Sequence, residues 1–249
     1  MTTSRMIVLA AISRHRLASV IRRLPFEPRR GRPWSCSLTR RILVVCAALR
    51  TNLTIRELAA SFAISKSAVH RIISTMTPRL AALGAQRRPN DRRESWVVDG
   101  TLIPTRDHRR AARSKNYRWS CNAQVIILRR DLRIIATTAG GPGNRNDPVH
   151  YRGSSIETLC QQHGRVLADG GYRGVPELVT PAFRGRRILR DRAWRRHRRR
   201  RARVEHAIAR LKNWRVLRDH RRRGCHVAAT LGAVAFLHNL HLDELRDSL

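Results

Sequence analysis

Forty-nine arginines and three lysines stand against only 17 aspartates and glutamates, giving a formal net charge of +35 on 249 residues. Self-repulsion on that scale opposes a free compact domain unless a polyanion neutralises it. Nucleic acid is the first candidate for that polyanion, and an anionic membrane surface the second. The hydrophobic share is 42%, in regular apolar runs, which excludes a wholly disordered basic tail. The length fits one large domain, or a medium domain with a small accessory one. Five cysteines lie at wide, irregular spacing with no CxxC pair. That pattern supports neither a zinc ribbon nor a disulfide framework, and fits a reduced cytosolic compartment. Met6 to Ile12 is apolar, but Arg14 and Arg16 follow at once with no cleavage site, so it reads as an amphipathic helix start. No stretch approaches the roughly 18 apolar residues of a membrane span.

Residues 1–36 read as a basic helical lead-in and linker, with Pro25, Pro28, Gly31 and Pro33 marking the linker. Helices are expected over 37–50, 55–62 and 66–76, capped by Ser37, Thr54 and Ser65. Polar residues 86–94, with Pro89 and Asn90, form a boundary. The texture then changes to short apolar runs. Trp96-Val97-Val98 ends in Asp99-Gly100-Thr101, and Val166-Leu167-Ala168 ends in Asp169-Gly170-Gly171. A hairpin is expected from strands 117–128 and 132–138 around Arg130-Asp131, followed by a glycine loop at 140–144. Further expectations are a short strand at 187–189, a long basic helix over 195–217 and an apolar one over 227–245. Strands first, then alternating helix and strand, imply an α/β class: a mixed sheet flanked by helices, behind an all-α segment.

Within 37–85, Leu58, Phe62, Ile64, Val69 and Ile72 fall where a helix-turn-helix buries its contacts, with small Ala59 at the helix crossing. Ala63 occupies the turn position that usually holds glycine. The second helix would enter the major groove with Ser65, Lys66, Ser67, His70 and Arg71 as readers.

Acidic residues are scarce, so their positions carry information. Asp99 and Asp169 each close a short buried run and precede glycine, which places each at the C-terminal end of a strand facing a loop opening. Side by side they would offer hard oxygen ligands to Mg²⁺ or Mn²⁺. Glu205 is the one carboxylate between Asp191 and Asp219. At about 100° per residue, Arg201 and Lys212 lie within roughly 40° of it around a helix. Twelve of the twenty residues from Arg184 to Arg203 are arginine, and the run leads into the Glu205 helix. It reads as a DNA-tracking surface with strongly salt-dependent binding, the bland alternative being a disordered polybasic tail or localisation-like patch. His238 and His241 lack partner cysteines at ligand spacing and suggest no zinc site.

Four stretches carry a resemblance: VVDGTLIP around Asp99, GGPGNRND ending at Asp147, LADGGYRG around Asp169, and RARVEHAIARLK around Glu205. Together they resemble bacterial insertion-sequence transposases of the DDE superfamily, near the Harbinger-like branch. Arg201, Glu205 and Lys212 match the family signature of Arg, three residues, Glu, six residues, Lys; the Tyr often found three residues before that Arg is here Arg198. The resemblance implies a ribonuclease H-like catalytic domain over 94–245, and a helix-turn-helix domain over 37–85. It implies Asp99, Asp169 and Glu205 as the catalytic, metal-binding triad for two Mg²⁺ or Mn²⁺ ions, with Arg201 and Lys212 clamping phosphates. Asp147 matches a recurring acid after a glycine-containing loop, either a further site acid or a helix cap. The implied activity is cleavage and strand transfer on double-stranded DNA, at transposon ends and target, by a homo-oligomer during synapsis. The compartment would be a bacterial cytoplasm, at the nucleoid. The alternatives from other classes are a catalytically inactive or domesticated DNA-binding regulator and a nonspecific basic scaffold.

Overall fold

The computed structural model describes residues 3–25, 33–84, 94–114, 117–164 and 166–248. The linker residues Pro28 and Gly31, and Pro89 and Asn90 of the polar boundary, lie outside them. Two helices, α1 (Thr3–Ala10) and α2 (Arg14–Arg23), precede the helical segment. Ser13 caps α2, its Oγ accepting from the Arg16 amide at 3.1 Å. Three helices follow: α3 (Leu38–Thr51), α4 (Ile55–Phe62) and α5 (Lys66–Gly84). Each starts where a hydroxyl can take up an orphan amide: Ser37 accepts from Arg40, Thr54 from Glu57, and Ser65 from Ala68. Thr54 and Glu57 complete a reciprocal capping box. The chain leaves α4 through Ala63 at φ 45°, the left-handed turn conformation that glycine adopts more cheaply. Helix α5 runs past the expected end at Met76 and through Pro78. Its buried row Ile73, Met76, Leu80 and Leu83 continues, and that packing offsets the hydrogen bond the proline removes.

The sheet begins with β1 (Trp96–Pro104), β2 (Ala112–Arg113), β3 (Trp119–Leu128) and β4 (Ile134–Pro142). Helices α6 (Asp147–Tyr151) and α7 (Ser155–His163) lead to β5 (Val166–Leu167) and β6 (Leu178–Val179). A small separate hairpin, β7 (Phe183–Arg184) and β8 (Arg187–Ile188), precedes α8 (Arg192–Lys212), and α9 (Val227–Asp247) closes the chain. Strands β2, β3, β1, β5 and β6 are neighbours in that order, and β4 pairs with β3. The β1–β3 and β3–β4 pairs are antiparallel, whereas β5 and β6 run parallel to β1. Two expectations about the sheet need correction. The glycine loop expected at 140–144 is shorter: Gly140, Gly141 and Pro142 extend β4, with a register shift near Asn122 that glycine accommodates, and the turn is confined to Gly143 and Asn144. Asp99 does not end its strand, because β3 continues to pair with β1 as far as Pro104. The neighbour that stops there is β5.

Helices cover both faces. On one, Val97, Ala123, Val125 and Ile127 pack with Val204, Ala207 and Leu211 of α8, and with α9. On the other, Trp96, Val98, Ile126 and Leu128 pack with Tyr151, Ile156, Cys160 and Tyr172. Trp96 stacks on His163 with ring centroids 3.7 Å apart. The first core continues without a break into Ile42, Leu58, Phe62, Val69 and Ile72, because α5 lies along α9. The two helices approach so closely that a Cβ on Gly232 would lie 3.0 Å from the Cβ of Ala81. Residues 224–247 are long and apolar enough to cross a membrane by length and composition, contrary to the reading that no stretch approaches this. The apolarity has a structural cause: α9 is the shared core helix between α5 and β4.

Candidate active site and DNA-reading surface

Strands β1 and β5 pair in parallel as Trp96↔Val166 and Val97↔Leu167. Asp99 and Asp169 each come two residues further on, so the same register carries both to one level on neighbouring chains. Adjacent strands lie about 4.8 Å apart. Alternation along β1 puts Asp99 on the face of Val97 and Val125, toward α8. Asp169 is partly buried and turns the chain at once, its Oδ1 accepting the Gly171 amide at 2.9 Å. Because β5 ends at Leu167 while β1 continues, the two carboxylates sit at an opening in the sheet.

Helix α8 places its side chains over that opening at intervals of four. The His197 Nε2 hydrogen-bonds the Ala168 carbonyl at 2.8 Å, docking the helix against the residue before Asp169. One turn on, Arg201 donates Nη1 to Asp99 Oδ2 and Nη2 to Glu205 Oε1, each at 2.9 Å. Its guanidinium therefore bridges two of the three expected acids. The Glu205 side chain is 59% exposed, whereas that of Asp99 is 14% exposed. Burial pushes the Asp99 carboxyl up to about 6 despite the lowering effect of Arg201, and the charges of Asp169 and Asp147 push the same way as burial. His197 escaped sequence reading, although it belongs to the Arg201–Glu205 row at the same spacing of four.

Asp147 is the first residue of α6 and makes no cap; Asn146 precedes it without a side-chain cap bond. Its Oδ1 instead accepts from Asn122 Nδ2 at 2.7 Å and Gln124 Nε2 at 3.2 Å. Gln124 in turn accepts a short bond from the Tyr172 hydroxyl. Gln124 pairs with Gly100 in the ladder, so Asp147 approaches from the face opposite Asp99. The absent side chain at Gly100 makes room: a Cβ there would lie 2.0 Å from Asp147 Oδ1.

The family model for a DDE superfamily endonuclease matches residues 98–239. The chain belongs to the DDE superfamily endonucleases. The helix-turn-helix model of the same superfamily matches residues 36–86. A relative from Streptomyces albus G, named as a putative transposase for insertion sequence element IS112, is 44% identical over 239 residues, which cover 91% of this chain and 90% of the relative. This DDE endonuclease is thus a DNA-cleaving transposase with a helix-turn-helix region, on a sheet flanked by helices as expected.

Among the described residues no three acids, histidines or cysteines converge as a ready metal cage. The donor set nevertheless fits divalent ions of the hard, oxygen-binding kind. The charge of Asp169 acts on Asp99, and Glu205 is tethered to the same arginine as Asp99. Lys212 is not at this cluster. It lies about 16 Å along α8 from Arg201 at 1.5 Å per residue, in a groove of about 800 Å³ with Leu102, Arg118 and Arg218. Burial, then the charge of Arg218, lowers its pKa.

Of the five expected DNA readers, Lys66, Ser67, His70 and Arg71 stand exposed on the first turns of α5. Ser65 is also exposed, but its hydroxyl is engaged in capping. Arg71 leans back over the Trp34 ring, 5.4 Å from its centroid, a feature the sequence did not signal.

Proposed function

We propose that this transposase cuts and joins DNA at the ends of an insertion sequence, with Asp99, Asp169 and Glu205 as its catalytic, metal-holding acids. The observation that carries this is the shared register of Asp99 and Asp169 with Glu205 brought beside them through Arg201. Two Mg²⁺ or Mn²⁺ ions bound there would supply activation of the attacking oxygen and stabilisation of the leaving one in an in-line phosphoryl transfer. The protein's own groups do the rest. Arg201 presents a planar fork at the site, suited to the non-bridging oxygens of the scissile phosphate. Lys212, with Arg118 and Arg218, holds phosphates further along the same strand. His197 fixes the helix carrying Arg201 and Glu205 against the strand end at Ala168. Ser65, Lys66, Ser67, His70 and Arg71 meet the major groove of the terminal repeat, Arg71 after leaving Trp34. Residues 37–85 serve as the reading unit and 94–245 as the cutting unit. Synapsis of two ends requires a homo-oligomer, acting at the bacterial nucleoid.

The test is Asp99→Ala on a transposon-end duplex in Mg²⁺. Cleavage should vanish while duplex binding persists. Full cleavage by the variant removes the site assignment. Binding without cleavage by the unmodified protein, in Mg²⁺ or Mn²⁺, leaves the regulator reading.

A further inference from the structure

The backbone pairing of β1 with β5 ends at Val97↔Leu167. Asp169 and the short turn it caps, which ends at Tyr172, therefore lie beyond that ladder, beside a strand that goes on to Pro104. The charges of Asp99 and Asp169 act on each other there, and repulsion would splay an unpaired turn. Arg201 offsets the charge through Asp99 and Glu205, but the place of the Asp169 turn needs ties of its own. His197 supplies one from the α8 side, at Ala168. The other comes from the opposite face. Tyr172 is fully buried, and its hydroxyl donates to Gln124 Oε1 on β3. Strand β1 lies between β5 and β3, so this bond crosses β1 on the face opposite Asp99. It spans two strand spacings, about 10 Å, which two long side chains reaching toward each other can bridge. Gly100 pairs with Gln124 and has no side chain to block the crossing. The far end is fixed as well. Asp147 accepts from the Gln124 nitrogen at 3.2 Å and from Asn122 at 2.7 Å. A carboxylate only accepts, so it holds that nitrogen toward itself and leaves the Gln124 oxygen for Tyr172. The same nitrogen also donates to Asn122 Oδ1 at 2.9 Å. The Tyr172 ring meets Tyr151 of α6 edge-on, with centroids 5.7 Å apart. Buried polar groups of this kind add little net stability over a well-packed apolar core. What a fully satisfied network supplies is a single geometry.

We infer that Tyr172 is a positioning residue for the cleavage reaction. Through Gln124 it straps the Asp169 turn to β3, and so sets the spacing of Asp169 from Asp99 at which divalent ions are held. This role rests on the proposed reading of the two aspartates as metal-holding acids; the strap itself does not.

The experiment compares the unmodified full chain with Tyr172→Phe, Gln124→Met and the double variant. The phenylalanine keeps the ring against Tyr151 and removes only the hydroxyl. Where the stranded Gln124 oxygen hampers folding, the double variant removes both partners and keeps the shape. In metal-free protein, amide hydrogen exchange over 169–172 should quicken about tenfold more than in α9, the equivalent of one lost hydrogen bond. The Mn²⁺ midpoint of the thermal shift, read without DNA, should rise about tenfold, the low end for an outer-shell partner. The Mn²⁺ midpoint for cleavage of a transposon-end duplex should rise equally, and saturating Mn²⁺ should restore most of the rate. The double variant should match either single one, because all three break the same strap. Faster exchange or a lower Tm with an unchanged Mn²⁺ midpoint overturns the positioning role and leaves the hydroxyl merely structural. Additive effects of the two single changes overturn the strap. A rate that stays low at saturating Mn²⁺ overturns the role in metal spacing. If the unmodified protein shows no Mn²⁺ shift, the metal-holding reading of Asp99 and Asp169 fails, while exchange over 169–172 still decides the strap.

Discussion

Arg201→Ala separates the two tasks of the catalytic helix. In the structure its guanidinium makes charge-assisted bonds to Asp99 and Glu205, both at 2.9 Å. The Glu205 bond is exposed and contributes little. The Asp99 bond is largely buried, and a hydrogen bond to such a charge contributes about 2 kcal/mol. Without divalent ions the variant should therefore lose about 2 kcal/mol, a fall of roughly 6 °C in Tm for a chain this size. Divalent ions entering the unmodified site have to displace the guanidinium; in the variant they meet two uncompensated acids. Their apparent affinity should rise by about 2 kcal/mol, near thirtyfold, seen as a thermal shift that saturates at lower Mn²⁺. Cleavage should fall all the same, because the phosphate fork is gone. Scanning fluorimetry across a Mn²⁺ titration reads the first two effects without any DNA. A variant with unchanged Tm and unchanged Mn²⁺ midpoint would refute the reasoning that Arg201 stands where the ions bind.

Gly100→Ala should cost about 2–3 kcal/mol by expelling the Asp147 carboxylate and stranding the Asn122 and Gln124 amides. Adding Asp147→Ala should make the double variant no worse than Asp147→Ala alone, and additive losses in urea unfolding would contradict the steric account. Gly232→Val should cost about 1–3 kcal/mol by overpacking the α5–α9 contact. Because the two helices join the reading and cutting regions, one cooperative transition should shift as a whole. Burial holds the ring pKa values of His220 and His238 down at about 4, below the ordinary 6.5. The unfolded chain then binds more protons than the folded one between these values, so stability should fall as pH drops from about 6.5 toward 4. The loss is up to about 3 kcal/mol per ring. His238→Asn should flatten that slope, measured by urea midpoints across the window.

Helices α3 to α5 were legible because their start signals are local: a hydroxyl, then an apolar row. The two aspartates were legible because buried runs that end in Asp-Gly are rare in so basic a chain. Their settings were less so. Asp99-Gly100-Thr101 reads as a turn by residue type, yet β3 supplies a partner to every residue through Pro104. Whether a strand stops at an aspartate depends on its neighbours, and no local propensity encodes that. The place of Asp147 was hidden for a similar reason. Its partners Asn122 and Gln124 lie more than twenty residues away on a strand whose polar pair looks like an interruption. That Arg201 and its neighbours Arg199, Arg200 and Arg203 face different ways could have been read from helical phase alone, once the helix start was known to be Arg192 and not Arg195.

The chain's charge balance looks different at the level of single residues. Two carboxylates held at the spacing of adjacent strands, about 5 Å, would repel by roughly 3 kcal/mol at an effective dielectric of 20. A guanidinium in direct contact with one of them returns about 4 kcal/mol on the same scale. Arg201 is thus sufficient to hold the acids together, and no general excess of arginine is needed for that purpose. Nor does the excess crowd the site: the α8 cations nearest in sequence, Arg199, Arg200 and Arg203, are turned away by the helical phase and collected in a separate groove with Arg129. Had they faced the acids, they would have competed with divalent ions for the same oxygens. The helix keeps one cation in contact with the acids and turns its nearest neighbours Arg199, Arg200 and Arg203 away from them.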